Sequence, residues 1–156
     1  MIEYEQLNKF LGPIFTQPKS KSLKDERMKV LKFGGRSLAN GNGIERVISI
    51  IQDKIDSGDN CTIVLSARGS STDQLESLLE AASRGENYLE AFEEFKSYQN
   101  VPAAEVDLNP EFDLLQKILE GVALLGDYSE KIKDQILAQG ELLSVKIVSH
   151  LLRKGG

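Results

Sequence analysis

Two segments of the sequence read as a strand that runs into a loop and then a helix. Residues 28–33 alternate between polar and apolar and end at Gly34-Gly35, which is typical of a strand entering a tight turn. Apolar residues then recur at helical spacing over residues 43–57. Residues 61–66 are mostly apolar and β-branched, and a polar loop and a second helical pattern follow them. Two such units in succession predict an α/β domain with a parallel sheet.

Helical patterns dominate the rest of the chain. The spacing predicts helices over residues 88–95, after Pro110, and over residues 132–137. A further helix is predicted over residues 141–152, apolar on nearly all sides and therefore buried. A sheet of only two strands buries its faces poorly and leaves both edges open. We therefore expect a domain that is incomplete in strands and has a helix-rich second half.

The first 27 residues differ from the rest. Pro13 and Pro18 bracket a short apolar patch, and residues 19–27 are almost entirely polar without a helical or strand period. This composition predicts an N-terminal extension or tether over residues 1–27. The ordered domain is predicted over residues 28–156.

Composition excludes several classes of protein. The chain has 156 residues, with 19 Lys and Arg against 24 Asp and Glu, so its formal net charge is −5. Such a balance argues against broad nucleic-acid binding, which requires a basic face. One cysteine and one histidine exclude an internal disulfide and a thiolate or histidine metal centre, so no metal-ligating residues are predicted. No run approaches the roughly 20 apolar residues that span a bilayer, and the acidic N-terminus is unlike a signal peptide, so we expect a cytoplasmic protein away from membranes.

Three polar segments lie where open parallel sheets place their ligands, and the first follows the first strand. Gly34 and Gly35 would let backbone N–H groups approach an anion, Lys32 would add a positive charge, and Ser37 a hydroxyl donor. Phosphoryl transfer needs such groups, because its transition state spreads negative charge over oxygen atoms. The same residues also fit a solvent-exposed lysine before an ordinary Gly-Gly turn, and spacing alone leaves both interpretations open. A P-loop pattern is absent.

The other two segments also have two interpretations. Residues 66–73 place hydroxyls and free N–H groups before a helix, where an anion would dock, but Ser71 or Thr72 as an ordinary helix N-cap fits the spacing better. Glu141 is predicted to begin the last helix. Its carboxylate either favours that helix N-terminus or meets a cationic group of a substrate, such as an ammonium.

Taken together, the three segments resemble the motifs of aspartokinases. The stretch 30–40, V-L-K-F-G-G-R-S-L-A-N, resembles the family pattern K-F-G-G-T-S-V-A. V-L-S-A at 64–67 with S-T-D at 71–73 resembles L-S-A…T-N, and G-E-L-L-S at 140–144 resembles G-E-x-x-S. The order and spacing fit the family across residues 28–153. The stretch 118–128 is most similar to the aspartokinase part of bifunctional aspartokinase–homoserine dehydrogenases.

The resemblance implies the amino-acid kinase (carbamate kinase-like) fold, a three-layer α/β/α sandwich. It implies ATP-dependent phosphorylation of the L-aspartate side-chain carboxylate to 4-phospho-L-aspartate, the first step towards lysine, threonine and methionine. In the nucleotide site, Lys32 would stabilise the transferring phosphoryl group, and Gly34, Gly35 and Ser37 would contact the ATP phosphates. Mg²⁺ would arrive bound through ATP.

The resemblance also implies an aspartate site. Ser66 and Thr72 would line it, and Glu141 would receive the aspartate ammonium. The positive charge of this acidic chain is expected to concentrate at Lys32, together with Arg36 or Arg68.

Two kinds of departure from the family set the alternatives. In members of the family, the nucleotide-binding half of the kinase domain follows these three motifs. Residues 28–156 therefore correspond to the N-terminal, substrate-side part of that domain. We therefore expect a fragment that is inactive without the remaining kinase half, supplied in cis or in trans; a homo-oligomer is an option that the sequence leaves open. Arg36 stands where Thr is usual and Asp73 where Asn is usual. These two residues motivate the alternative of a non-catalytic amino-acid-binding or regulatory module.

Overall fold

The computed structural model describes residues 28–102 and 105–155, and the predicted extension over residues 1–27 lies outside them. The two strands and the helices follow each other in the order that the sequence pattern predicts. They are β1 (Lys29–Phe33), a 3-10 turn (Gly35–Leu38), α1 (Gly41–Asp56), β2 (Cys61–Leu65), α2 (Ser71–Ser83), α3 (Leu89–Asn100), α4 (Asn109–Leu125) and α5 (Glu130–Gly155).

The two strands form a parallel sheet joined by α1. The register pairs Lys29 with Cys61 and Phe33 with Leu65, so both strands end at the same edge. The side chain of Asn40 accepts a hydrogen bond from the Gly43 N–H at 2.8 Å, which caps the N-terminus of α1. The predicted β-α-β unit is therefore confirmed.

One face of this sheet is covered and the other is open. Phe33, Ile63 and Leu65 point towards α1 and α5, where they pack against a buried cluster. Its members are Leu38, Ile44, Val47, Ile51 and Val148. Val30 and Val64, on the opposite face, are 64% and 41% exposed. We call the residues of this second face, Val30, Lys32, Thr62 and Val64, the open sheet face.

A second core lies among the helices α2 to α5. Its largest fully buried side chains are Phe92 and Phe95 of α3. Phe95 meets Phe112 of α4 edge-on, with ring centroids 6.5 Å apart. Aromatic pairs prefer this T-shaped arrangement because a ring edge is positive and a ring face negative. The helix-rich second half that the sequence predicts is thus a packed cluster with its own core.

The last helix differs from the prediction. The sequence predicts separate helices over residues 132–137 and 141–152, but α5 is continuous over 26 residues and holds Gly140 in its interior. A helical glycine costs about 1 kcal/mol relative to alanine without breaking the helix. The helix is also not buried on nearly all sides, because Glu141 and Leu142 are exposed while Leu143 and Ser144 are buried. Among the described residues, no helix is long and apolar enough to cross a membrane.

Candidate functional site

The loops that follow β1 and β2 are bonded to each other. The Ser66 N–H donates to the Phe33 carbonyl at 3.1 Å, and the Gly69 N–H donates to the Gly35 carbonyl at 3.0 Å. Two of the three predicted segments therefore lie side by side at the carboxyl edge of the sheet. Open parallel sheets bind their ligands at this edge.

The two glycines after β1 meet different surroundings. A Cβ atom at Gly35 would lie 2.6 Å from the Ala67 carbonyl oxygen and 3.1 Å from that of Gly69. A Cβ atom at Gly34 would meet nothing within 4 Å, and the backbone there is ordinary extended chain, with φ −79° and ψ 168°. Gly35 thus permits the close approach of the two loops. Nothing in the described fold requires a glycine at position 34, so its backbone is open to an approaching group.

Two positively charged side chains at this edge, those of Lys32 and Arg36, are accessible. Lys32 is exposed on the open sheet face, and Arg36 and Ser37 are exposed in the turn that follows. Neither cation forms an ion pair with another residue of the described ranges. Accessible and unpaired cations are what an anionic ligand requires.

The start of α2 corrects the N-cap interpretation. The helix begins at Ser71, its N-cap position is Ser70, and no side chain caps it. Ser71 is fully buried and its Oγ accepts a hydrogen bond from Gln99 Nε2 at 2.6 Å. Thr72 is exposed in the first turn, and Ser66 is half-buried at the end of β2. The N-cap interpretation of Ser71 or Thr72 is therefore wrong.

The third segment, on α5, packs against the loop after β2. A Cβ atom at Gly140 would lie 2.9 Å from Ala67 Cβ and 3.7 Å from Ser71 Cβ, so the absent side chain allows α5 to approach. Glu141 follows directly and is exposed. The helix starts eleven residues earlier, at Glu130, so the interpretation of Glu141 as a helix N-terminal carboxylate is wrong. All three segments converge, and they offer cations, hydroxyls and two exposed carboxylates, those of Asp73 and Glu141.

The structure places Arg68 differently from the sequence prediction. The sequence predicts that either Arg36 or Arg68 adds positive charge to that of Lys32, but Arg68 is only 2% exposed. Its guanidinium lies 4.3 Å from the Tyr98 ring centroid. Burial lowers the pKa of Arg68, and the electrostatic interaction with Tyr98 partly opposes that change. Arg36 is therefore the exposed member of the pair.

An open parallel sheet with polar loops at the carboxyl ends of its strands defines an α/β chain with a candidate ligand site in the usual place. Residues 27–156 match the model of the amino acid kinase family, and the chain belongs to that family. The resemblance drawn from the three motifs and the predicted amino-acid kinase fold are confirmed.

The relatives are aspartokinases. The chain is 34% identical over 140 residues to the bifunctional aspartokinase/homoserine dehydrogenase of Buchnera aphidicola, covering 81% of this chain and 17% of that protein. It is 28% identical over 145 residues to the chloroplastic bifunctional aspartokinase/homoserine dehydrogenase 2 of Arabidopsis thaliana, covering 85% and 16%. The solved structure of Escherichia coli aspartokinase III in complex with aspartate and ADP matches with a TM-score of 0.65 at 26% identity, covering 83% of this chain and 29% of that one. The chain thus spans less than a third of the length of each of these three proteins.

Proposed function

We propose that this chain is the substrate-side part of an aspartate kinase. The reaction is the ATP-dependent phosphorylation of the L-aspartate side-chain carboxylate to 4-phospho-L-aspartate, as the first step of lysine, threonine and methionine biosynthesis. The observation that carries the proposal is the convergence of three motif segments, which are far apart in sequence, at one edge of the sheet. The similarity to aspartokinases supports the choice of substrate.

In this proposal the loop after β1 handles the phosphates. Lys32 stabilises the transferring phosphoryl group with its positive charge. Its ammonium is available for this because it is exposed and has no partner within the described ranges. Backbone N–H groups at Gly34 and Gly35 and the Ser37 hydroxyl bind the ATP phosphates, and the open space at Gly34 fits such an approach. Mg²⁺, bound through ATP, would neutralise part of the phosphate charge.

In this proposal, the aspartate is bound by helix α5 together with the loop that follows β2. Ser66 and Thr72 supply hydroxyl groups, and Glu141 accepts the aspartate ammonium. An oxygen of the aspartate side-chain carboxylate attacks the γ-phosphorus of ATP, the bond to the bridging oxygen breaks, and ADP leaves. No proton needs to be removed from the nucleophile, so the chain has to position and to stabilise charge rather than to supply a base.

The proposal includes a missing partner. The open sheet face exposes two valines beside Lys32, and a parallel sheet is normally covered on both faces. We propose that the remaining half of the kinase domain covers this face, in cis or in trans, with residues 28–156 as the substrate-side domain and residues 1–27 as an extension. A cytoplasmic location and a homo-oligomeric state stay predictions.

A hydroxylamine assay tests the activity. Aspartate, Mg-ATP and hydroxylamine should give aspartyl hydroxamate with a chain extended by the downstream kinase half, and none above background with the 156-residue chain alone. In the extended chain, Lys32→Ala should lower kcat by about 100-fold or more, since it removes a charge that acts in the transition state. Lys117→Ala, an exposed lysine of α4, is the matched control and should leave kcat unchanged.

Two outcomes would contradict the proposal. Activity of the 156-residue chain alone would show that no further half is needed. Equal activity of the Lys32→Ala and Lys117→Ala enzymes would remove Lys32 from phosphoryl transfer.

A non-catalytic amino-acid-binding or regulatory module is the second candidate. Arg36 and Asp73 are both exposed at the site, where the family usually has neutral residues. Calorimetry distinguishes the two functions, because a module should bind aspartate without a second chain. If Arg36→Thr with Asp73→Asn does not raise the activity of the extended chain, the two departures are harmless and this candidate loses its support.

A further inference from the structure

Arg68 is a buried cation whose hydrogen-bond acceptors are neutral. Its Nε donates to the Leu38 carbonyl at 3.0 Å, and its Nη1 donates to the Tyr98 carbonyl at 2.8 Å. The backbone and side-chain oxygens of Gln99 lie 3.4 Å from the same Nη1. Within the described ranges, no carboxylate pairs with this guanidinium. Burying a charge without a counter-charge is costly, so the position of Arg68 needs a physical reason.

The end of α3 supplies that reason. Tyr98 and Gln99 belong to the last turn of α3, which ends at Asn100. Carbonyl oxygens in a last turn have no partner inside the helix and carry the negative end of the helix dipole. The guanidinium of Arg68 satisfies these carbonyls, and the dipole favours its charge.

The same helix end also holds both loops of the candidate site. Tyr98 Oη donates to the Ala39 carbonyl at 2.7 Å, directly after the 3-10 turn that follows β1. Gln99 Nε2 donates to Ser71 Oγ at 2.6 Å, at the start of α2. A Cβ atom at Gly69 would lie 2.5 Å from Tyr98 Oη, so the loop after β2 also fits closely against this ring. The end of α3 therefore contacts each loop independently of β1 and β2.

We propose that Arg68 is a positioning residue that holds the loop after β1 and the loop after β2 at a fixed separation by joining both to the end of α3. The inference rests on the proposed function, in which these loops carry the phosphate-binding and aspartate-binding groups. Arg68 does not touch substrate. Its planar guanidinium donates to the carbonyls of Leu38 and Tyr98 through two different nitrogens. A lysine has a single side-chain nitrogen, which is not preorganised for two acceptors in that geometry.

Hydrogen exchange in the full chain tests the positioning. The Gly69 amide, which bonds to the Gly35 carbonyl, reports on the contact between the loops. In Arg68→Lys, this amide should exchange at least about tenfold faster, while amides in the α4–α5 core keep the parent rates. Arg84→Lys, an exposed arginine paired with Glu80, is the matched control and should change neither.

A second variant keeps the test decisive if Arg68→Lys folds poorly. Tyr98→Phe retains the ring and removes only the hydrogen bond to Ala39. It should speed exchange in the loop after β1 and leave the core unchanged. Uniformly faster exchange throughout the molecule in both variants would make the network a general stabiliser, and unchanged exchange in the loops would also overturn the inference.

Kinetics of the extended enzyme separate this inference from the proposed function. Displacement of reacting groups by about 1 Å costs up to about 100-fold in rate. Arg68→Lys should therefore lower kcat by between about tenfold and 100-fold, with the KM values for ATP and aspartate changing less. An inactive parent enzyme would refute the proposed function while the exchange result still stands. An active parent with unaltered kcat in Arg68→Lys would refute the positioning role alone.

Discussion

Adjacent glycines of the same motif have different physical roles. Gly35 lies where two loops meet, and its missing side chain leaves room for the Ala67 carbonyl. Gly34 is free of such contacts. The missing side chain therefore matters for loop packing at Gly35 and not at Gly34, and a sequence pattern alone shows only that both are glycine.

Alanine substitutions should separate these two roles. Gly35→Ala brings a methyl group against a backbone carbonyl, which cannot rotate away, and should lower the free energy of unfolding by about 1–3 kcal/mol. Gly34→Ala should change it by less than about 0.5 kcal/mol. Urea unfolding of both variants measures this difference. Equal stability losses in the two variants would show that the close contact at Gly35 does not make this position more sensitive to a methyl group than Gly34.

At the level of elements, α5 connects the two cores. Leu143 and Ile147 pack in the helical core, and Val148 packs beneath the sheet. Gly140 brings the same helix against the loop after β2. This explains how a motif on the last helix reaches a site that is formed by the first two strands.

Two helix glycines should respond with opposite signs. Gly140→Ala gains helix propensity of about 1 kcal/mol but forces a methyl group to within 2.9 Å of Ala67 Cβ, and overpacking should outweigh the gain. Gly121→Ala, in α4, meets nothing within 4 Å and should raise the free energy of unfolding by about 0.5–1 kcal/mol. Chemical unfolding compares them. A stabilised Gly140→Ala would contradict the close approach of α5.

An ion pair between β1 and the turn before β2 should make stability depend on pH. The hydrogen bond from Lys29 Nζ, 2.6 Å from Asp59 Oδ1, lowers the pKa of Asp59 below its ordinary value of 3.8, and Lys54 contributes. A carboxyl with a lowered pKa in the folded state stabilises above the unfolded-state pKa, and this contribution is lost as the pH falls through the folded-state pKa.

Asp59→Asn tests this dependence. The variant should be less stable than the parent at neutral pH, and the difference should shrink as the pH falls below 3.8. Asp113→Asn, an exposed carboxylate of α4, is the control and should show no such trend. Urea midpoints across the acid range provide the measurement. A difference that stays constant with pH would exclude the ion pair as its source.

At the scale of the whole molecule, the described residues are arranged asymmetrically about the sheet. Helices cover one face of β1 and β2, and on the other face Val30 is 64% exposed. In the proposed function, the open sheet face is the contact surface for the remaining kinase half. The exposed face carries Lys32, so completion of the sheet and assembly of the phosphate site would occur together.

Substitutions on the two faces should differ in kind. Val30→Lys should cost the 156-residue chain less than about 1 kcal/mol, because only strand propensity changes, yet it should abolish hydroxamate formation when the downstream half is supplied. Ile63→Lys, on the covered face, should destabilise the chain itself, because it places a charge against the core. Unfolding curves and the assay together check both expectations. Full activity of Val30→Lys would show that this face is not the contact surface.

Local pattern and motif order were enough to predict much of this protein. Both strands, α1 and the helix-rich second half followed from spacing, since hydrophobic periodicity depends on neighbours a few residues apart. The three motifs identified the family and the candidate residues, because ligand-binding chemistry restricts residue type at short range.

Tertiary structure alone decided which of these residues are accessible and which hold the fold. Arg68 and Leu38 are separated by 30 positions, and Tyr98 lies a further 30 beyond Arg68, so no local pattern could show that this cation turns into a helix end rather than towards a phosphate. The close packing of α5 at Gly140 likewise involves Ala67, in the loop after β2, and Ser71, in α2. Burial and close approach are set by residues distant in sequence, and only the folded chain brings them together.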